Sequence, residues 1–169
     1  MGEVTVLDGG GRVVLRFERH LPGSVADVWR AVTDPEELRA WFPTRVAIDE
    51  WKVGATITHH FDVHDIEDLP GTVLAWDPPH RVAFTWGTDT ITFALSEAAG
   101  GGTTFVLTEE LRSDHAARNA AGWDACLDRL ERGDVTHTWQ ERFDGYVASF
   151  EPLLGPQEGV PEGVEDPDA

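Results

Sequence analysis

Apolar residues along this chain recur first at every second position, then at spacings of three and four, then at every second again, and finally at three and four. The pattern predicts strands, short helices, a long run of strands and late helices. Glu3 to Leu7 and Arg12 to His20 are β-rich runs flanking "DGGG", a hairpin signal. Val25, Val28, Trp29 and Val32 fall on one helical face behind Ser24, a good N-cap with Asp27 three residues on. A second short helix is expected from Asp34 as N-cap. Pro35 takes its first position, Glu36 and Glu37 sit against its positive end, and Leu38, Trp41 and Phe42 form its stripe before Pro43 stops it.

From Thr44 to Leu111 the period is two, with strands expected near Arg45 to Ile48, Ala55 to Val63, Gly71 to Trp76, Arg81 to Trp86, Thr90 to Ser96 and Thr103 to Leu111. Ile91, Phe93 and Leu95 alternate with Thr92, Ala94 and Ser96, and the short breaks imply an antiparallel meander. Ala116, Ala120, Trp123, Leu127 and Leu130 then predict a long helix over about Asp114 to Arg132, stopped by Gly133, with Asp114 as its cap. A further helix over about 136–150 carries Trp139, Phe143, Tyr146 and Phe150, which would pack it onto the body or a second subunit. The α+β order needs a cover for one face of a curved sheet, and the helix around Trp123 is long enough to supply it. A helix laid across a curved sheet leaves room for a ligand cavity beneath.

Length and composition narrow the reading. A chain of 169 residues suits one domain, expected over 1–154, while the Pro, Gly and acid mixture of 155–169 is expected to be a disordered acidic tail. The formal charge is −18, and removing the acids beyond Leu154 still leaves −13, so the body itself is acidic and nucleic acid is not an expected partner. No apolar run is long enough to span a membrane, the start "MGEVTVLDGGG" has no signal-peptide pattern, and a lone Cys126 agrees with a reducing compartment; a cytoplasmic location is expected.

"FERHLPGSVADVWRAVTDPEELRAWFP", the meander containing "LAWDPPHRVAFTW", and "AAGWDACLDRLERG" together resemble the START-like (SRPBCC, birch-pollen-allergen-like) superfamily. Within it the chain is most similar to the family named for the C-terminal domain of the activator of heat shock protein 90 ATPase, over roughly Arg12 to Phe150. The resemblance implies a helix-grip fold: a curved antiparallel sheet wrapped around a long C-terminal helix, with two short helices after the first strand. It supplies no universal catalytic residue. The eukaryotic activator's separate N-terminal chaperone-binding domain has no counterpart in this sequence, so the name speaks for the fold more than for the activity.

Candidate chemistry is sparse. His60, Asp62 and His64 of "HHFDVH" would share a strand face, but His60 and His64 would lie about 13 Å apart at the backbone, which disfavours one shared ion. Glu109 and Glu110 point to opposite sides of a strand, so they cannot act as a paired carboxylate unit; one facing the cavity would bind a polar ligand group or act as a base, and the alternative is solvation on an edge strand. The expected ligand cavity is lined by Phe61, Trp86, Phe93, Phe105, Trp123 and Leu127, with His60 and Glu109 as its polar groups, and Trp29, Trp41 and Phe42 on the lid helices. No metal, cofactor or catalytic residue is expected. The expected partner is an apolar, lipid-like small molecule; the alternatives are a chaperone or other protein, and a cyclase or hydrolase using a cavity His or Glu. A monomer or homodimer is expected.

Overall fold

A computed structural model of the chain describes residues 1–7, 11–62 and 66–160. The elements run β1 (Glu3–Val6), β2 (Arg12–Leu21), α1 (Val25–Thr33), α2 (Pro35–Leu38), β3 (Arg45–Ala47), β4 (Thr56–His60), β5 (Leu69–Asp77), β6 (Arg81–Trp86), β7 (Asp89–Glu97), β8 (Thr103–Arg112), α3 (Ala116–Arg132) and α4 (Trp139–Leu154). The strands form one eight-stranded sheet in the order β1-β2-β8-β7-β6-β5-β4-β3. This is an α+β fold of the helix-grip class, a curved antiparallel sheet followed in the chain by a long helix. Two compact units divide it, Phe17–Glu109 and Met1–Arg16 with the chain from Glu110 onward, and both boundaries fall inside strands, β2 and β8.

In the unit Phe17–Glu109 the local signals are met by the residues expected. Ser24 Oγ accepts from the Asp27 amide at 3.2 Å and Asp34 Oδ1 from the Glu36 amide at 2.8 Å, so both helices begin on a satisfied cap. Helix α2 is shorter than its apolar stripe suggests. It ends at Leu38, and the amides of Trp41 and Phe42 both turn back to the Leu38 carbonyl, at 3.1 and 2.8 Å. The turn, rather than a helix, carries the two rings, and both are buried. The meander then pairs in register, with Ile57 opposite Gly71, His59 opposite Leu69, Val82 opposite Phe93 and Phe84 opposite Ile91.

The other unit is built on α3 and α4. Gly133 ends α3 at φ +79°, a left-handed conformation that favours glycine. Helix α4 starts at Trp139 because Thr138 forms a capping box: its hydroxyl accepts from the Glu141 amide at 3.2 Å and the Glu141 carboxylate accepts from the Thr138 amide at 2.9 Å. The two helices are joined by Arg142, which donates to the buried Asp128 at 2.6 Å, and by Tyr146, whose hydroxyl donates to Asp124. Trp139 stacks on Phe143 and Tyr146 meets Phe150 within the same helix.

Asp114 does not cap the long helix. Its carboxylate is taken by Arg112, and the Ala117 amide is instead met at 3.0 Å by Gln157 Oε1. Gln157 Nε2 also donates to Ser113 O, and the Glu158 amide to Asp114 O, so residues 155–160 make specific bonds within the segment expected to be disordered. The remainder of that segment, 161–169, lies outside the described residues, as do Val63 and His64.

Candidate functional site

The unit Phe17–Glu109 contains a cluster of rings gathered from four directions. Trp41 and Phe42 come from the turn after α2, Phe84 and Trp86 from β6, Phe93 from β7 and Phe105 from β8. Period two puts Phe93 with Ile91 and Leu95, and Phe105 with Leu107 and Glu109, on inward strand faces. The rings meet mostly edge to face: Phe93 lies 5.4 Å from Phe105 and 5.6 Å from Phe84, and Phe42 lies 5.7 Å from Trp86. Trp41 Nε1 donates to the Ala31 carbonyl at 3.0 Å, so its polar edge is satisfied while its face joins the cluster.

Among these rings stands His59, which is fully buried. Its ring centroid is 4.4 Å from Trp86, 5.8 Å from Phe84 and 6.1 Å from Phe42. Nδ1 has one long contact, 3.4 Å to Thr44 Oγ1, and Nε2 has no hydrogen-bond partner. Burial among apolar groups pushes the imidazole pKa down to about 4; the nearby Thr85 carbonyl opposes that shift and the neighbouring His60 adds to it. The ring is therefore neutral near pH 7, and one of its nitrogens is buried without a partner, an arrangement that is rare because it costs about 1–3 kcal/mol.

Gly71 lets the Thr85 carbonyl reach this region. A Cβ on Gly71 would lie 2.3 Å from Thr85 O and 3.0 Å from Ile57 Cγ2, so no other residue fits between β4 and β6 there without moving backbone. A cleft of about 240 Å³ opens beside the cluster, lined by Arg39, Phe42, Pro43, Thr44, Arg45, Phe61 and Asp62. Phe42 and Thr44 belong both to its lining and to the surroundings of His59. The cleft's charges are paired, Arg39 with Glu36 at 3.2 Å and Arg45 with Asp62 at 3.8 Å.

The residues expected to form one cavity are distributed as follows. Trp41, Phe42, Trp86, Phe93 and Phe105 are joined by ring contacts, and Phe61 reaches Trp86 at 5.8 Å. Trp29 lies apart from them, against Trp76 at 5.0 Å, and Trp76 in turn stacks on Trp51. His60 points away from His59 and bonds Asp68 at 2.7 Å. Glu109 is buried on the inward face of β8, while Glu110, on the other face, binds Arg12. Trp123 and Leu127 are buried on α3, in the other compact unit.

His59 escaped the sequence reading, although a signal for it existed: Ile57, His59 and Phe61 are two apart, and an apolar Ile57 marks that face as the inward one. Among the described residues, ligand atoms of Asp114, His115 and Glu158 come within 4.8 Å of one another. Arg112 and Arg118 already face the two carboxylates, so the group is explained as an ion-pair cluster tying residue 158 to the start of α3. No helix among the described residues is long and apolar enough to cross a membrane.

The sheet order, the paired short helices and the long helix after the last strand define a START-like, helix-grip protein. Residues 22–132 match the family model described as Activator of Hsp90 ATPase homolog 1-like protein, and the chain belongs to that family. Among solved structures, it is similar to a conserved protein of unknown function from Enterococcus faecalis, at 21% identity over 90% of this chain and 91% of that one, with a TM-score of 0.75. CalU16 from Micromonospora echinospora matches at 19% identity over 91% and 96% of the two chains, TM-score 0.62. An AHSA1-like protein from Aeromonas hydrophila matches at 24% identity over 80% and 92%, TM-score 0.59. At these identities the likeness is one of fold. No curated protein matches the chain.

Proposed function

We propose that the protein is a non-enzymatic binder of a small, largely apolar molecule, held at the ring cluster around His59 and reached from the cleft at Phe42 and Phe61. The observation that carries this reading is the unpartnered Nε2 of His59, buried among Phe42, Phe84 and Trp86. A solid core has no use for a buried imidazole where Phe or Leu would pack without desolvating a polar group. A binding site does, because a few polar groups inside an apolar lining fix the orientation of a guest. The adjoining cleft has two of its walls, Phe42 and Thr44, in common with the cluster.

Thermal-shift and native mass-spectrometry screens against lipid, polyketide and aromatic panels test this reading. A retained ligand whose affinity falls on Phe42→Ala or Trp86→Ala supports it. Failure of every panel to raise the melting temperature or retain a mass rejects it.

A second reading, assistance to a chaperone ATPase, is favoured by family membership and by the acidity of the chain, which suits a basic docking surface. Its test is ATPase stimulation by the full chain at physiological salt, and no effect at saturating concentration rejects it.

A further inference from the structure

We propose that the guest is an uncharged, ring-bearing molecule carrying a hydroxyl or carbonyl oxygen that hydrogen-bonds to His59 Nε2, and that carboxylates are excluded from the site; this rests on the binding reading above. Three observations set the class. The first is the bond itself, since Nε2 is the one buried side-chain N or O atom without a partner among the described residues. A guest that supplied the partner would relieve the cost of burying an unmatched nitrogen, so the gain belongs to the polar atom of the guest rather than to its surface area.

The second observation is charge. With its pKa near 4 the His59 ring is neutral at physiological pH, so it offers no cation to a carboxylate. The guanidiniums nearby, Arg39 and Arg45, line the cleft and are paired with Glu36 and Asp62. A carboxylate brought to Nε2 would lose its hydration without gaining a countercharge.

The third is shape. Phe42, Phe84 and Trp86 pack against the imidazole at 4.4 to 6.1 Å, and Phe42 also lines the cleft, so a guest entering there reaches Nε2 by displacing the Phe42 ring and meets ring faces and edges in its place, which suits a flat molecule. Thr44 lets the site serve both oxygen types. When the Thr44 hydroxyl donates to Nδ1, Nε2 carries the proton and gives it to a carbonyl; when Nδ1–H donates to Thr44 Oγ1, Nε2 accepts from a hydroxyl.

Matched two-ring probes test this on the full chain at neutral pH: naphthalene, naphthol, acetonaphthone and naphthoate, titrated by calorimetry. The expected order puts naphthol or acetonaphthone about tenfold tighter than naphthalene, with naphthoate weakest. In His59→Phe the polar advantage disappears while naphthalene still binds, and His59→Gln, which keeps a donor and an acceptor, retains part of the advantage. The imidazole nitrogen NMR shifts of the unmutated protein give a readout that no variant's folding can spoil, because naphthol must move Nε2 toward the value of a bonded acceptor. Naphthoate binding tightest, a polar advantage that survives in His59→Phe, or unchanged Nε2 shifts with naphthol bound would overturn the inference and leave the binding reading standing. Failure of all four probes, naphthalene included, would bring both down.

Discussion

Two regions of this protein bury polar groups, and they do it in opposite ways. Between α3 and α4 every buried charge named above has a partner: Asp128 has Arg142, and Asp124 has the Tyr146 hydroxyl. In the ring cluster the buried polar group is a neutral imidazole with one nitrogen unmatched. The helical region spends its polarity on fixing how two helices meet, and that use is complete within the chain. The cluster around His59 carries a polar atom that nothing in the chain matches, and under the proposed function that difference separates a region that holds the fold from one that receives a guest.

The sharpest way to break that comparison is to remove one partner from the helical region. Arg142→Met leaves the Asp128 carboxylate buried without its countercharge, and the expected loss is about 3–5 kcal/mol in urea unfolding. The double variant Arg142→Met, Asp128→Leu is expected to recover most of it, because two apolar side chains replace the pair without stranding a charge. A small effect from Arg142→Met alone would mean that the pair is wetter than its burial implies.

The next effect belongs to His59 and depends on pH. Its folded-state pKa lies below the ordinary value of 6.5, at about 4, so on acidification the unfolded chain takes up this proton first. Stability is at its full value above about pH 6.5 and falls as the pH drops toward 4, with about 3 kcal/mol expected from this group over that window. Carboxylates titrate near the lower end, so the measurement is a difference: His59→Phe should show a flatter stability profile between pH 6.5 and 4 than the parent. Parallel profiles would show that the ring is less isolated from water than its position suggests.

Gly71→Ala ranks third. The new methyl would sit 2.3 Å from the Thr85 carbonyl, and a backbone oxygen bonded into a sheet has little freedom to retreat. A loss of about 1–3 kcal/mol is expected, in the range of overpacked cores. Because Thr85 O neighbours His59, the same change should also shift the imidazole NMR signals, a response that an unrelated surface substitution would not produce.

How far these features can be read from the chain depends on their range. Helix starts at Ser24 and Asp34, the strand run from Arg45 to Leu111 and the long helix around Trp123 follow from spacing and capping, which act over a few residues. The inward placement of Phe93 and Phe105 was legible for the same reason. His60 and Phe61 cannot share a strand face, so period two admits only one of them to the inward side; Ile57 marks that side as the one of His59 and Phe61. The end of α2 at Leu38 was less legible, since Leu38, Trp41 and Phe42 have helical spacing and only the burial of both rings favours a turn. Contacts between distant segments left no local trace: Gly71 under Thr85, Gln157 at the start of α3 and Asp128 with Arg142 depend on pairings that no window of sequence contains.

The smallest effect sharpens the comparison from the side of the helices. Thr138→Ala removes the hydroxyl that accepts from the Glu141 amide and leaves the reciprocal bond, from the Thr138 amide to Glu141, without the geometry that held it. A loss of about 1 kcal/mol is expected, typical of an N-cap, read as a lower urea midpoint with an unchanged slope. Thr138 lies in the compact unit that does not contain His59, so this variant should leave probe binding and the imidazole signals as they were while α4 frays at its first turn. If a cap so far along the chain altered naphthol binding as strongly as His59→Phe does, the two regions would share one function, and the division drawn between holding the fold and receiving a guest would fail.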